Sequence, residues 1–318
     1  MKIDLFILNY NGASYIEEAI RSFVVAINHS RHMCKLNIID NSSTDESLEI
    51  IRRSFPEIAV FPMENLFLCS FNKAVAASQA DIIFLLNNDL KADPFFIDPM
   101  VSIFETHKDV FMSSAKSFLF DGSYEGGLSI PFFVFGHFGT ICRFKDFEKL
   151  NTTTQPTFSA GFGAFDREKF LTLGGFDTLY LPGRMEDADL SFRAWRKGWK
   201  CYYQPKSVLY HMGGKSFKER FGIRGTMEIA HRNAFLFTWK NIHDQQYLFS
   251  HFFFLIPWMI WMVLKGQFEF VTAFFKALGR IQMAVVRRRK EKKISYQLSE
   301  REVISFFQNG NQRFFYNV

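Results

Sequence analysis

Two glycine signatures for phosphate are missing from these 318 residues. Neither GxGxxG nor GxxxxGK followed by Ser or Thr occurs, so a dinucleotide-binding fold and a P-loop NTPase are not indicated. Cysteine is scarce. Cys34, Cys69, Cys142 and Cys201 stand far apart, form no CxxC pair, and read as reduced thiols of a cytosolic compartment. The opening MKIDLFILNYNG has Asp4 inside its apolar run and no small-residue cleavage site, so it reads as a first strand and not as a signal peptide. Internal repeats and low-complexity linkers are also absent. What the chain has in excess is phenylalanine, at 41 residues, and positive charge, at a net +6. Both concentrate near the C-terminus: between Lys265 and Lys293 nine Lys and Arg face two Glu. The length suits one large α/β domain with an appendage.

Short apolar runs alternate with helical patterns through the first ninety or so residues. Ile3–Leu8, Leu36–Ile39, Val60-Phe61 and Ile82–Leu86 read as strands. Ser14–Ile27, a stretch ending near Ser54, and Phe71–Ser78 read as helices. Ser14 with Glu17 predicts a capping box for the first helix. This β-turn-α order predicts a doubly wound, mostly parallel sheet. Ligands of such sheets bind beyond the carboxyl ends of the strands. Three polar strand-ends supply Asn9-Tyr10-Asn11, Asp40-Asn41-Ser42 and Asn87-Asn88-Asp89. Asp40 suits a ribose or base NH, and Asp89 suits a divalent metal on a diphosphate, because Mg²⁺ and Mn²⁺ share oxygen ligands between protein and phosphate. Taken alone, Asn87-Asn88-Asp89 reads equally well as a turn.

Phe95–His107 predicts a helix and Val110–Leu119 a strand, whereas Asp121–Gly139 is a Gly- and aromatic-rich excursion that fits a sugar-site loop or a surface insertion. Asp166–Leu173 predicts a short helix closed by Gly174-Gly175. A further helix opens on Glu186-Asp187-Ala188-Asp189, where acids suit the positive end of its macrodipole and one carboxylate can stand free as a general base. Leu190, Ala194 and Trp195 are assigned to its core face. Lys200–Gln204 and Ser207–Tyr210 are strand-like and lead to His211, a plausible ligand ahead of two glycines.

These pieces together resemble the inverting, GT-A-fold, family-2 glycosyltransferases, in the branch with rhamnosyl- and galactofuranosyl-transferase-like members. The resemblance runs from Lys2 to about Asn241. It rests on ILNYNG at Ile7–Gly12, IIDNSSTD at Ile38–Asp45, Asn65 with Asn72, FLLNND at Phe84–Asp89, LGGFD at Leu173–Asp177, EDADLSFR at Glu186–Arg193, HMGG at His211–Gly214, and RNAFLFTWKN at Arg232–Asn241. It implies a GT-A sheet, mixed and mostly parallel, flanked by helices over residues 1–245. It implies a nucleotide-sugar site of Asn9, Tyr10, Asn11, Asp40, Asn72, Lys73, Asn87 and Asn88. Asp89 and His211 would hold Mg²⁺ or Mn²⁺, Asp187 would be the catalytic base, and Glu186 would orient the acceptor. Bulky Phe67 and Leu68 stand where the family often has glycine after Asn65, and Ala74 replaces the glycine after Asn72. No QxxRW motif follows the acidic helix, which argues for a non-processive hexosyltransferase.

Residues 246–318 predict a helical appendage. Tyr247–Leu264 is apolar, with Ser250, His251 and Pro257 inside it. Phe268–Val286 carries apolar residues at helical spacing, and Arg287–Lys293 is basic. An interfacial helix on an anionic membrane through 247–293, a helical subdomain packed on protein, and a single span all fit that pattern. The tail from Leu298 predicts one more apolar helix or strand. The expected partners are a nucleotide-sugar donor and a glycan or lipid-linked acceptor, with no nucleic acid and with oligomers open. The expected location is cytoplasmic, peripheral on the inner face of the cell membrane. Two alternatives are a catalytically silent GT-A-like binding module at the membrane and a sugar-phosphate nucleotidyltransferase. The second lacks its Gly-rich N-terminal loop.

Overall fold

The computed structural model describes residues 1–144, 147–213 and 215–309. Its strands are β1 (Lys2–Asn9), β2 (Met33–Asp40), β3 (Ala59–Pro62), β4 (Ile82–Asn87), β5 (Leu90–Ala92), β6 (Val110–Leu119), β7 (Tyr124–Gly126), β8 (Ile130–Val134), β9 (His137–Ile141), β10 (Gln155–Pro156), β11 (Gly163–Asp166) and β12 (Lys200–His211). Its helices are α1 (Ile16–His29), α2 (Ser47–Ser54), α3 (Phe71–Ala77), α4 (Ile97–Thr106), α5 (Phe147–Leu150), α6 (Arg167–Thr172), α7 (Glu186–Arg196), α8 (Lys215–Asn241), α9 (Gln245–Leu264), α10 (Phe268–Leu278), α11 (Ile281–Glu291) and α12 (Glu300–Asn309).

The main sheet runs β10-β12-β6-β11-β4-β1-β2-β3. β3, β2, β1 and β4 are parallel, β11 is antiparallel to both β4 and β6, and β6 is parallel to β12. Burial on both faces explains the near-continuous apolar strands. Ile3, Leu5 and Ile7 of β1 join Ile20 and Phe23 of α1 on one side. Phe6 and Leu8 join a second core with Phe71, Phe165 and Phe192 on the other. β5 lies antiparallel to β12 with Leu90 opposite His211, and the Met212 N–H donates to the Asp89 carbonyl at 3.1 Å. That short pairing ties the segment after β4 to the end of β12 and so brings Asp89 beside His211.

Several local expectations change. The Ser14–Glu17 capping box does not form. α1 starts at Ile16 with no side-chain cap, Glu17 pairs with Arg21, and Asp45 instead holds the Ala13 N–H at 2.8 Å. Lys200–His211 is one strand with a bulge between Gln204 and Val208. The 121–139 excursion contains β7, β8 and the start of β9, and the β8–β9 hairpin packs beneath α8, where Phe138 stacks on Phe237 with ring centroids 4.0 Å apart. Residues 268–286 form two helices, because the chain turns at Gly279-Arg280 and Arg280 reaches the Leu179 and Leu181 carbonyls.

The C-terminal helices share the second core. Phe270, Ala277, Ala284, Val303, Ile304 and Phe307 belong to the same buried cluster as Phe192 and Trp195 of α7. Phe307 meets Trp195 edge-on at 5.0 Å, and Glu300 pairs with Arg196 at 3.0 Å.

Candidate active site

Parallel pairing places the ends of β1, β2 and β4 side by side, since Asn9 is level with Asp40 and Leu8 with Asn87. Beyond these ends lies a cavity of about 250 Å³. Tyr10, Asn41, Asn65 and Phe67 form one side, Asn87, Asn88, Asp89 and His211 the floor, and Arg184, Glu186, Phe217 and Arg220 the far wall.

Asp89 and His211 are both buried. Asp89 Oδ2 lies 3.3 Å from His211 Nε2, and His211 Nδ1 lies 2.6 Å from Glu125 Oε1. Asp89 Oδ1 is buried with no hydrogen-bond partner, and His211 Nε2 has only the Asp89 Oδ2 contact. Burial works against charging this imidazole, but hydrogen bonding and charge from Asp89 and Glu125 outweigh it and push it up to about 9. Glu125, which sequence reasoning missed, fixes which face of the ring looks into the cavity. The unpartnered Asp89 oxygen, and the His211 Nε2 lone pair once a cation displaces its proton, fit a divalent cation whose remaining ligands are phosphate oxygens and water. Among the described residues no group of three or more His, Cys, Asp and Glu is arranged to cage a metal without a ligand's help.

Other expected residues fall into layers. Tyr10, Asn87 and Asn88 line the cavity. Asn9 and Asp40 lie behind it, with their polar atoms committed. Asn9 Nδ2 donates to Asp40, Ser43 and Ser47, and Asn9 Oδ1 accepts from Asn88 at 2.9 Å. Asp40 also accepts from the Ser43 N–H and hydroxyl. Asn11 holds the Thr44 N–H at 2.8 Å. Asn72 and Lys73 are not at the cavity. Asn72 bridges both backbone groups of Phe176, at 2.8 and 2.9 Å. Gly175, at φ +69°, lets it in, since a Cβ there would sit 2.2 Å from Asn72 Oδ1. Lys73 lines a separate groove of about 610 Å³ at the opposite ends of the strands, away from Asp89 and His211.

The acids that open α7 divide three ways. Glu186 faces the cavity, buried, with Oε2 unpartnered. Burial and then the Asp187 charge push it up to about 8, against backbone hydrogen bonding and Arg184. Asp187 is half-buried on the side of Gly161, where an added Cβ would lie 3.9 Å from its Oδ2, and burial raises its carboxyl too. Asp189 turns inward, where Lys240, Arg193, Tyr180 and Asn241 all donate to it at 2.7–2.9 Å. Burial opposes its ionisation, yet Lys240 and Arg193 hold it well below the usual carboxylate range. The turn before α7 puts two non-glycine residues, Arg184 and Met185, at φ +70° and +76°. Asn233 braces that turn by donating to the carbonyls of Tyr180, Gly183 and Arg184.

Residues 4–174 match the family described as Glycosyl transferase family 2, more than half of the chain. The chain belongs to that family. The family-2 match contains Asn87–Asp89, while Glu186, Asp187 and His211 lie beyond it. An uncharacterized glycosyltransferase of Nostoc sp. is 32% identical over 112 residues, which is 33% of this chain and 34% of the relative. The crystal structure of GalNAc-T7 with UDP, GalNAc and Mn²⁺ superposes with a TM-score of 0.57 at 16% identity, covering 77% of this chain and 48% of that one. S. aureus TarS superposes at 0.54 and 15% identity, covering 90% of this chain and 49% of TarS, and its 1–349 fragment at 0.54 covers 99% and 93%. The chain thus spans about a third of the Nostoc relative and about half of GalNAc-T7 and the longer TarS. These likenesses establish a GT-A-like fold with a helical C-terminal region.

Proposed function

We propose that this family-2 protein is a metal-assisted, inverting, non-processive hexosyltransferase. It moves a sugar from a nucleoside-diphosphate donor to a hydroxyl of a glycan or lipid-linked acceptor in cell-surface polysaccharide assembly. The observation that carries the reading is the buried Asp89–His211 pair, with Asp89 Oδ1 left unpartnered, at the floor of a cavity whose far wall holds Glu186. GalNAc-T7, a structural neighbour, was crystallised with UDP and Mn²⁺, which supports the same ligand class here. The order of sequence motifs supports a donor of the rhamnosyl- or galactofuranosyl-transferase kind.

Asp89 and His211, with Glu125 behind the imidazole, would hold the divalent ion. When bound, that ion supplies Lewis-acid stabilisation of the departing diphosphate. Arg184 and Arg220 add cationic charge on the cavity's far wall. Asp187 takes the proton from the acceptor hydroxyl. The oxygen then bonds to the anomeric carbon as the carbon–phosphate oxygen bond breaks, and the diphosphate leaves with the electron pair. A single displacement from the opposite face inverts the centre. Glu186, held protonated at neutral pH, can donate a hydrogen bond to the acceptor without repelling Asp187 further.

The test is a thermal-shift series of UDP-, dTDP- and GDP-sugars, with and without Mn²⁺, run on the parent and on Asp187→Asn. One nucleotide class is expected to raise Tm in a metal-dependent way in both proteins, with transfer lost in Asp187→Asn. Full transfer by that variant would remove Asp187 from the role of base. No shift with any donor would sink the cavity as a donor site.

A further inference from the structure

Among the described residues, α9 is the one helix long and apolar enough to cross a membrane. Its packing opposes crossing. His251 is buried, with Nδ1 2.7 Å from the Gly136 carbonyl oxygen and Nε2 accepting from Trp239 Nε1 at 3.0 Å. About one turn past the midpoint of the helix, Trp258 Nε1 donates to the Phe135 carbonyl at 3.2 Å. Gly136, at φ +75°, comes so close that a Cβ there would lie 2.4 Å from the His251 Cα. Leu255, Met259 and Met262 continue the same stripe against the second core. The helix is therefore fastened lengthwise to the β8–β9 hairpin and to α8.

Its other side is bare. Phe249, Phe252, Ile256, Ile260 and Leu264 are exposed, at 71, 60, 59, 57 and 79%. Phe268 and Phe275 of α10 and Met283 and Val286 of α11 are exposed as well. Exposed cations accompany it: Lys265 closes α9, Arg289 and Lys290 lie in the last turn of α11, and Lys292 and Lys293 follow it. Of the two acids between them, Glu291 is buried and Glu269 half-buried. A contiguous apolar face of this kind needs an occupant. A second copy of the face would bring no exposed acid to pair with these cations, because Glu291 is buried and Glu269 half-buried. Anionic headgroups complement the cations, and acyl chains complement the aromatic face.

We propose that this face docks on an anionic lipid surface, with α9 lying in the plane of the interface and not crossing it. The proposal stands apart from the transfer chemistry, since it uses none of the cavity residues.

The test floats the full chain with vesicles of phosphatidylcholine alone or mixed with phosphatidylglycerol. The expected result is flotation with the anionic vesicles, weakened by salt, and quenching of tryptophan fluorescence by brominated acyl chains that is lost in Trp261→Tyr. The double variant Phe252→Glu with Ile256→Glu is expected to partition at least about tenfold more weakly at unchanged Tm, because both positions are exposed. Resistance to alkaline carbonate extraction would overturn the in-plane arrangement. So would absence of flotation, whether the chain is then monomeric or dimeric. Donor thermal shifts on the same variant separate a docking failure from a failed donor site.

Discussion

Glu186 keeps one carboxylate oxygen unpartnered in a buried setting beside Asp187. Its carboxyl, pushed up to about 8 by burial and then by Asp187, retains a proton that the unfolded chain releases near pH 4 to 5. The folded state therefore binds more protons than the unfolded one across that window, and stability falls as pH rises from about 4.5 to about 8. Glu186→Gln removes this loss. Its Tm advantage over the parent is expected to grow between pH 5 and 8 and to level off above, followed by calorimetry across that range. A constant difference would show Glu186 ionised throughout. At this scale the sequence was partly readable. Asn87-Asn88-Asp89 and His211 announce themselves as polar groups at the ends of apolar strands. Glu125 does not, because only the β6–β7 pairing carries it to His211. Asn9 and Asp40 were legible as strand-end polars, but the hydrogen bonds that turn them inward come from Ser43 and Ser47 after the chain has folded.

At the level of elements, α7 is set by what lies under it. Asp189 gathers Lys240 and Arg193 in a site closed to water, so replacing it leaves the buried Arg193 without its counter-ion and Lys240 with Asp177 alone. Asp189→Asn is expected to cost about 3–5 kcal/mol in urea unfolding. A loss below about 1 kcal/mol would mean that the cations relax to solvent and that the α7–α8 contact is loose. The helix itself was legible from its acidic first turn and from the spacing of Leu190, Ala194 and Trp195, all now buried. The division of labour among its acids was not. Periodicity separates Asp187 from Asp189 but leaves Glu186 and Asp189 neighbours at i and i+3, and which of them meets Lys240 depends on an α8 that follows later in the chain. The same holds for the RNAFLFTWKN run. It reads as a motif in sequence and proves to be a brace, with Asn233 and Arg232 holding the 180–184 turn.

For the whole molecule, composition marks a break near residue 245, where aromatic and basic residues begin to dominate, and packing does not follow it. Arg287 pairs with Asp177 at 2.6 Å, Arg280 holds the Leu179 and Leu181 carbonyls, and Ile304 and Phe307 complete the core that contains α7. A chain ending at Asn241 is expected to lose fixed tertiary packing, seen as a collapsed near-UV circular dichroism signal and rapid proteolysis. A stable fragment that still binds donor would show the appendage to be separable. The alternation of strands and helices made the first part of the sheet readable from sequence, since β1, β2 and β3 pair in chain order. The contribution of the C-terminus was unreadable because its contacts span the longest separations. The β5–β12 pairing has a consequence in time. A ribosome delivers Asp89 early, but its imidazole partner arrives on the last strand, and the arginines that steady the turn before Glu186 come later still. During synthesis the nascent chain can complete most of its sheet and yet possess no assembled reaction centre. The proposed donor site is thereby the last part of the sheet's edge to come together, waiting on β12 and α8.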